Sequence, residues 1–142
     1  MTLNISKVEK LIRKDLNKHW SSLNFEIECN PQKIKVTNNL SIAKLSDDVR
    51  VEFGAYSNGV ALFLAIFSHI EKTPKTLDLL NEFNKKSLFF KAIINDKGFL
   101  EVLHICAFVK EEMFENYCSE FLIKLSNLNE NEVLCKLVSY TY

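Results

Sequence analysis

His104 and Cys106 are the two residues of this sequence whose types could act together, as a general base and a nucleophile. They stand two positions apart in an apolar run that fits a strand, so both side chains face the same side of it. Side chains at this spacing lie about 7 Å apart, which is too far for a direct proton transfer. Cysteine is also among the most frequently buried residue types. We therefore expect Cys106 to be structural and His104 to be hydrogen-bonded beside the core.

No other pattern of residues predicts catalysis, a metal or a cofactor. His19 and His69 are far apart in the sequence and lack the spacing of a zinc site. The acidic pairs at 47–48 and 111–112 fit a turn and a helix start. The sequence also lacks the glycine-rich motifs that hold phosphate groups and the serine motif of hydrolases. We expect no catalytic residues, no cofactor and no metal, so an enzyme is the least favoured class.

The composition fits one domain that spans residues 1–142, with 47% hydrophobic residues. Eighteen basic residues balance 18 acidic ones, so no net charge favours nucleic acid or an anionic membrane. The longest apolar run, Val60–Phe67, is too short to span a bilayer. The four cysteines form no C-x-x-C pair, and charged residues interrupt the N-terminal stretch where a secretory signal would lie. We expect a cytoplasmic protein with reduced thiols, no nucleic-acid partner and no membrane insertion.

Three stretches have apolar residues at helical spacing, and they predict helices at Ser6–Trp20, Thr73–Lys86 and Glu111–Leu125. The second has the clearest start, because Thr73 suits an N-cap and Pro74 suits the first helical position. The tail, Glu132–Tyr142, fits either a short helix or an added strand. The sequence leaves both readings open.

Alternating apolar residues predict the strands between these helices. Residues 37–48 lose the alternation, and we expect an irregular connection there. The expected strands are a hairpin at Phe25–Val36, then Val49–Tyr56 and Val60–Phe67, and a second hairpin of Leu88–Asn95 and Phe99–Val109 turned at Asn95–Gly98. The fold class is therefore α+β, an antiparallel sheet with flanking helices in the order α-β(n)-α-β-β-α.

Two of these strands, Val60–Phe67 and Phe99–Val109, are apolar on both faces. A strand of this kind must be covered on both sides. Helices of the same chain could cover both, or a second polypeptide could cover one of them, since exposed apolar patches usually mark interfaces. In the second case, the partner-binding residues that we expect are Phe63, Phe67, Phe89 and Phe108.

Three runs in the second half of the chain, Leu79–Asn84, Phe89–Ala92 and Asn95–Leu100, resemble the bacterial YbjN family. That pattern has a helix ending in an aromatic residue and Asn, an aromatic-led strand, a D-x-G type turn and a second apolar strand. The family shares its element order with the type III secretion chaperones, small cytoplasmic homodimers that hold a segment of a secreted client in extended form. The chain departs from those chaperones in its neutral charge and in the hairpin at Phe25–Val36.

Taken with the residues, this resemblance implies a non-catalytic module that binds a protein partner or a secreted client, as a homodimer of type III secretion chaperone-like or YbjN-like fold. The partner would cover the second sheet face or add to a strand edge. Two alternatives stay open. One is a regulatory or immunity-type protein that blocks one toxin or enzyme, and the other is a small-molecule sensor with a pocket between helix and sheet.

Overall fold

The computed structural model describes residues 7, 10, 14, 25–29, 33–42, 46–56 and 59–140. Its strands are β1 (Phe25–Cys29), β2 (Lys33–Ile42), β3 (Ser46–Tyr56), β4 (Val60–His69), β5 (Lys91–Ile94) and β6 (Phe99–Ala107). Its helices are α1 (Pro74–Lys86), α2 (Glu111–Asn127) and α3 (Glu132–Val138), with a 3-10 turn at Leu128–Glu130. The six strands form one antiparallel sheet in the order β1-β2-β3-β4-β6-β5. The predicted α+β class is confirmed.

The β1–β2 hairpin is longer than the sequence predicted. β2 continues to Ile42 and β3 already begins at Ser46, so the expected irregular connection at 37–48 is wrong over most of its length. The ladder continues because Leu40 pairs with Val49, and a register shift follows between Leu40 and Ile42. This irregularity breaks the period-two pattern on which a sequence-based strand assignment depends.

Helix α1 begins as the sequence predicted. The Thr73 side chain accepts a hydrogen bond from the Thr76 backbone N–H at 3.2 Å, and Thr76 Oγ1 accepts one from the Thr73 backbone N–H at 2.8 Å. Pro74 takes the first helical position, where its missing N–H costs nothing. Thr76 stands where a capping box usually has Glu or Gln. The buried Thr76 hydroxyl also donates to the Glu71 carbonyl at 2.7 Å.

The second hairpin turns where the sequence predicted, at Asn95–Gly98. Gly98 has a φ of 86°, a left-handed conformation that glycine adopts without a Cβ clash. Asn95 Oδ1 accepts hydrogen bonds from the backbone N–H groups of Lys97 and Phe99, at 2.9 and 3.0 Å. The first strand of this hairpin begins at Lys91, three residues later than predicted.

The predictions for the two ends of the chain have different outcomes. The tail forms helix α3, which the Asn131 side chain caps by accepting the Leu134 N–H at 2.9 Å. At the other end, Lys7, Lys10 and Lys14 are helical and exposed, while the rest of the predicted helix Ser6–Trp20 lies outside the described residues.

The core lies between α2 and one face of the sheet. We call this face the inner face; its buried residues include Val49, Val51, Phe53, Ala61, Phe63, Ala65, Phe67, Ala92 and Val102. The strand register brings them together, since Phe53 pairs with Phe63 and Ala65 with Val102. Phe114, Cys118 and Phe121 of α2 are fully buried, and Phe114 and Phe121 contact the Phe63 ring.

Candidate binding surface on the outer face of the sheet

We call the opposite side of the sheet the outer face; it is apolar along β4 and in parts of β5 and β6, and charged on β3. Its apolar residues are Val60, Leu62, Leu64 and Ile66 of β4, Leu103 and Ile105 of β6, and Ile93 of β5. The register places them in rows, with Leu62 beside Ile105 and Leu64 beside Leu103. Along β4 the outer-face residues are half-buried and alternate with the buried inner-face residues. The sequence therefore predicted correctly that β4 has two apolar faces.

Three of the four predicted partner-binding residues lie inside the core and require correction. Phe63 is fully buried, and its ring centroid lies 5.3 Å from that of Phe114 and 5.5 Å from that of Phe121. Phe67 and Phe108 are each only 2% exposed. Large aromatic rings contribute most when they are fully removed from water, and α2 covers Phe63 and Phe108 through its Phe114 ring. Since these side chains already contact their own chain, they are not accessible to a partner.

Phe89, the fourth predicted residue, is half-buried. Its ring stacks on His104 with a centroid distance of 3.9 Å and an interplanar angle of 10°. Lys124 Nζ lies 5.0 Å from the centroid of the same ring, close enough for a cation–π contact. Phe89 thus joins β6 to α2 with part of its ring still accessible.

His104 lies beside the core, and Cys106 faces the same side of β6, as their spacing predicted. His104 Nδ1 lies 2.8 Å from the Phe89 carbonyl oxygen, within hydrogen-bond distance. Burial raises the pKa of the Cys106 thiol, and the nearby Glu120 carboxylate raises it further. A raised pKa keeps the sulfur protonated and lowers its nucleophilicity.

Solvent exposure on the outer face is greatest at Ile105 and Ile93. Ile105 is 60% exposed, and it lies beside Leu62 in the part of β6 that extends past its pairing with β5. Ile93, on the edge strand β5, is 42% exposed. An isolated exposed isoleucine needs no explanation, but Ile105 adjoins a row of half-buried aliphatic side chains, whereas Glu101 lies between Ile93 and Ile66. Ile105 could not be identified from the sequence, because nothing in its neighbourhood distinguishes it from a core residue.

Charged residues border the apolar part of the outer face on both sides. Arg50 and Glu52 lie on the β3 side, with Arg50 Nη2 3.8 Å from Glu52 Oε1. Lys91 lies on the β5 side, in register with Leu103. Glu101 lies in the row of Ile66 and Ile93. An apolar centre with a charged border is typical of protein interfaces.

A cavity of about 640 Å³ opens at one end of the outer face. Glu101 projects into it and is held by Asn95, whose Nδ2 donates to Glu101 Oε1 at 2.8 Å. The cavity thus lies on the outer face and beside a turn, whereas the sequence placed a possible pocket between helix and sheet. Its lining residues are Arg50, Glu52, Ile66, Phe67, Asn95, Asp96, Lys97, Phe99 and Glu101.

The edge of β5 is occupied by the end of α1. The Asn84 side chain accepts a hydrogen bond from the Ala92 N–H at 2.7 Å and donates one to the Ala92 carbonyl at 2.9 Å. Partner binding by strand addition at this edge, one of the two modes that the sequence suggested, would therefore require displacing Asn84. The only sign of this contact in the sequence is the position of Asn84, an amide close to the apolar side of α1.

No protein-family model matches this chain, and no curated protein matches it either. Among the described residues, no helix combines the length and apolarity needed to cross a membrane. The same part of the chain contains no cluster of three or more His, Cys, Asp or Glu residues that could hold a metal ion.

Proposed function

We propose that this chain is a non-catalytic protein-binding module that contacts a partner polypeptide through the outer face. The observation that supports this most directly is the 60% exposure of Ile105 within a continuous aliphatic surface. When one face of an antiparallel sheet is covered and the other meets water, the second face usually carries polar residues. β4 instead has Val60, Leu62, Leu64 and Ile66 there. Burying this surface against a second polypeptide removes it from water.

The partner that we propose includes a second copy of the chain, which makes the protein a homodimer. Most symmetric assemblies of soluble proteins are twofold dimers in which the same patch is used twice. The apolar centre of this patch has charges of both signs around it: Arg50 and Lys91 are positive, and Glu52 and Glu101 are negative. Two copies can therefore use the patch without placing like charges opposite each other. A second polypeptide, such as a secreted client, would then bind the assembled dimer.

The cellular role that we propose is that of a type III secretion chaperone-like or YbjN-like protein in the cytoplasm. The support for this is the resemblance of the runs Leu79–Asn84, Phe89–Ala92 and Asn95–Leu100, which span α1 and the second hairpin. A regulatory or immunity-type protein would use the same surface. The identity of the captured partner separates these roles, since a chaperone retains a secreted client and an immunity protein retains one toxin or enzyme.

The test uses Ile105→Asp, with Ile123→Asp as the matched control. Both isoleucines are largely exposed, at 60% and 56%, but Ile123 lies on α2 and away from the outer face. We expect light scattering to give a dimer mass for the parent protein and for Ile123→Asp, and a monomer mass for Ile105→Asp. We also expect a partner purified with the parent protein to remain with Ile123→Asp and to be lost with Ile105→Asp. A monomeric parent that retains no partner would contradict the proposal, as would equal behaviour of the two variants.

Small-molecule binding is a second candidate function, favoured by the cavity at the end of the outer face. Its volume of about 640 Å³ falls within the range of ligand pockets. Charges of both signs line it, which suits a zwitterionic ligand. A thermal-shift screen of amino acids and short peptides tests this role. A ligand that stabilises the parent protein but not Glu101→Gln would place binding in the cavity, and no stabilisation by any of them would reject this role.

A further inference from the structure

The β5 strand lies at the edge of the sheet and pairs with β6 on one side only. Edge strands present backbone N–H and C=O groups that can pair with another chain, and proteins usually block them. Successive residues of a strand direct these groups to opposite sides. The Asn95 N–H bonds to the Phe99 carbonyl at 2.9 Å, so Ile93 and Lys91 also face β6 and Ala92 faces the free edge.

Helix α1 blocks this edge through its last residues. The Asn84 amide bonds to both backbone groups of Ala92, at 2.7 and 2.9 Å, as a neighbouring strand would. Ser87 Oγ accepts the Phe90 N–H at 3.0 Å. Lys91 Nζ donates to the carbonyls of Asn84 and Ser87, at 3.1 and 3.2 Å. The Phe90 N–H and both backbone groups of Ala92 are thus satisfied by this end of α1.

We propose that β5 is a latent self-association surface and that Asn84 keeps it closed to a second copy of the chain. Without the amide, the Ala92 groups lose their partners and the end of α1 loses two of its bonds to the sheet. Opening of this end then exposes the edge, and pairing with another β5 satisfies the Ala92 groups again. Asn84 is therefore a positioning residue that holds α1 against the edge.

A second copy is the partner that fits this edge best. Two β5 strands that pair antiparallel about Ala92 are related by a twofold axis, so the same groups satisfy each other. This register places Lys91 of each chain opposite Ile93 of the other, and the two lysines do not face each other. Ile93 is already 42% exposed, so pairing would also bury apolar surface. This pairing uses the backbone edge of β5, whereas the contact proposed above uses the side chains of the outer face. Ile93 and Lys91 take part in both.

The test is made in the Ile105→Asp background, so that association through the outer face does not contribute. Asn84→Ala is compared with Thr76→Val, which removes a buried hydroxyl from the other end of the same helix. We expect the mass of Asn84→Ala to rise with protein concentration from monomer toward dimer, and that of Thr76→Val to stay constant. We also expect the Ala92 amide of Asn84→Ala to exchange with solvent rapidly in dilute solution and slowly in concentrated solution. A loss of folding stability alone would not slow the exchange of the Ala92 amide in concentrated solution.

A constant mass for Asn84→Ala over the whole concentration range would overturn the proposal. Equal association of Thr76→Val would overturn it too, because loss of stability would then be the cause. If Asn84→Ala does not fold, Asn84→Asp replaces it. This variant retains the acceptor for the Ala92 N–H and loses the donor to the Ala92 carbonyl. The mass of Asn84→Asp should also rise with protein concentration, although less steeply than that of Asn84→Ala. A constant mass would again reject the proposal.

Discussion

Replacing Phe63 and Ile105 separately by alanine should separate the core from the candidate binding surface. The two residues lie on neighbouring strands and on opposite faces of the sheet. Phe63 is fully buried against Phe53, Phe114 and Phe121. Removing a buried phenylalanine ring costs about 3–5 kcal/mol. Because a domain of this kind has about 5–15 kcal/mol of total stability, Phe63→Ala should be strongly destabilised, and Phe63→Asp should not fold.

Ile105→Ala should cost much less stability. Full burial of an isoleucine side chain contributes about 1.5–3 kcal/mol. With Ile105 60% exposed, less than half of that contribution is available, or about 1 kcal/mol. The free energies of unfolding of the two variants should therefore differ by about 2–4 kcal/mol.

Urea denaturation followed by circular dichroism measures this difference, at a protein concentration where the parent protein is monomeric so that association does not contribute. An unchanged dependence on denaturant concentration would show that both variants unfold in the same manner. A difference below about 1 kcal/mol, or a larger loss for Ile105→Ala, would refute the assignment of Phe63 to the core and of Ile105 to the surface.

Three further predictions concern single side chains. Thr76→Val should lower the free energy of unfolding by about 1–3 kcal/mol, because the Glu71 carbonyl and the Thr73 N–H lose a buried partner; a urea titration that shows no loss would contradict this. Gly98→Ala should cost about 1–2 kcal/mol because Gly98 has a φ of 86°, and Gly98→Asn should cost less in the same assay. Burial raises the pKa of the Cys106 thiol, so its alkylation at neutral pH should be slower than that of a free thiol and should accelerate only at higher pH. Mass spectrometry of the Cys106 peptide measures this rate, and a rate equal to that of a free thiol would count against the prediction.

The sequence predicted most reliably the elements that are specified locally. Thr73 and Pro74 start α1 because an N-cap side chain and a fixed φ act within one turn. Asn95 and Gly98 form the turn of the second hairpin through contacts no more than four residues apart. Local chemistry of this kind can be read without knowing where the segment lies in the fold.

The features that depend on tertiary contacts could not be predicted in this way. Phe63 and Leu62 are adjacent apolar residues, and only the position of α2 decides which of them is covered. The extension of β2 to Ile42 depends on its pairing with β3, since the polar run at 38–39 offers no apolar alternation. Asn84 contacts Ala92 only because the hairpin returns beside α1.

The two apolar faces of the sheet differ in the kind of residue they carry, and this difference bears on function. Rings such as Phe53 and Phe63 are on the face that α2 covers, while the outer face of β4 has only aliphatic residues. Rings in close edge and stacked contacts contribute to one fixed arrangement of the core. A covered inner face alone is sufficient to hold α2, and it does not require apolar residues on the other side. The aliphatic row beside Ile105 therefore has no role in the packing of α2, and burial by a second polypeptide, as we propose, would give it one.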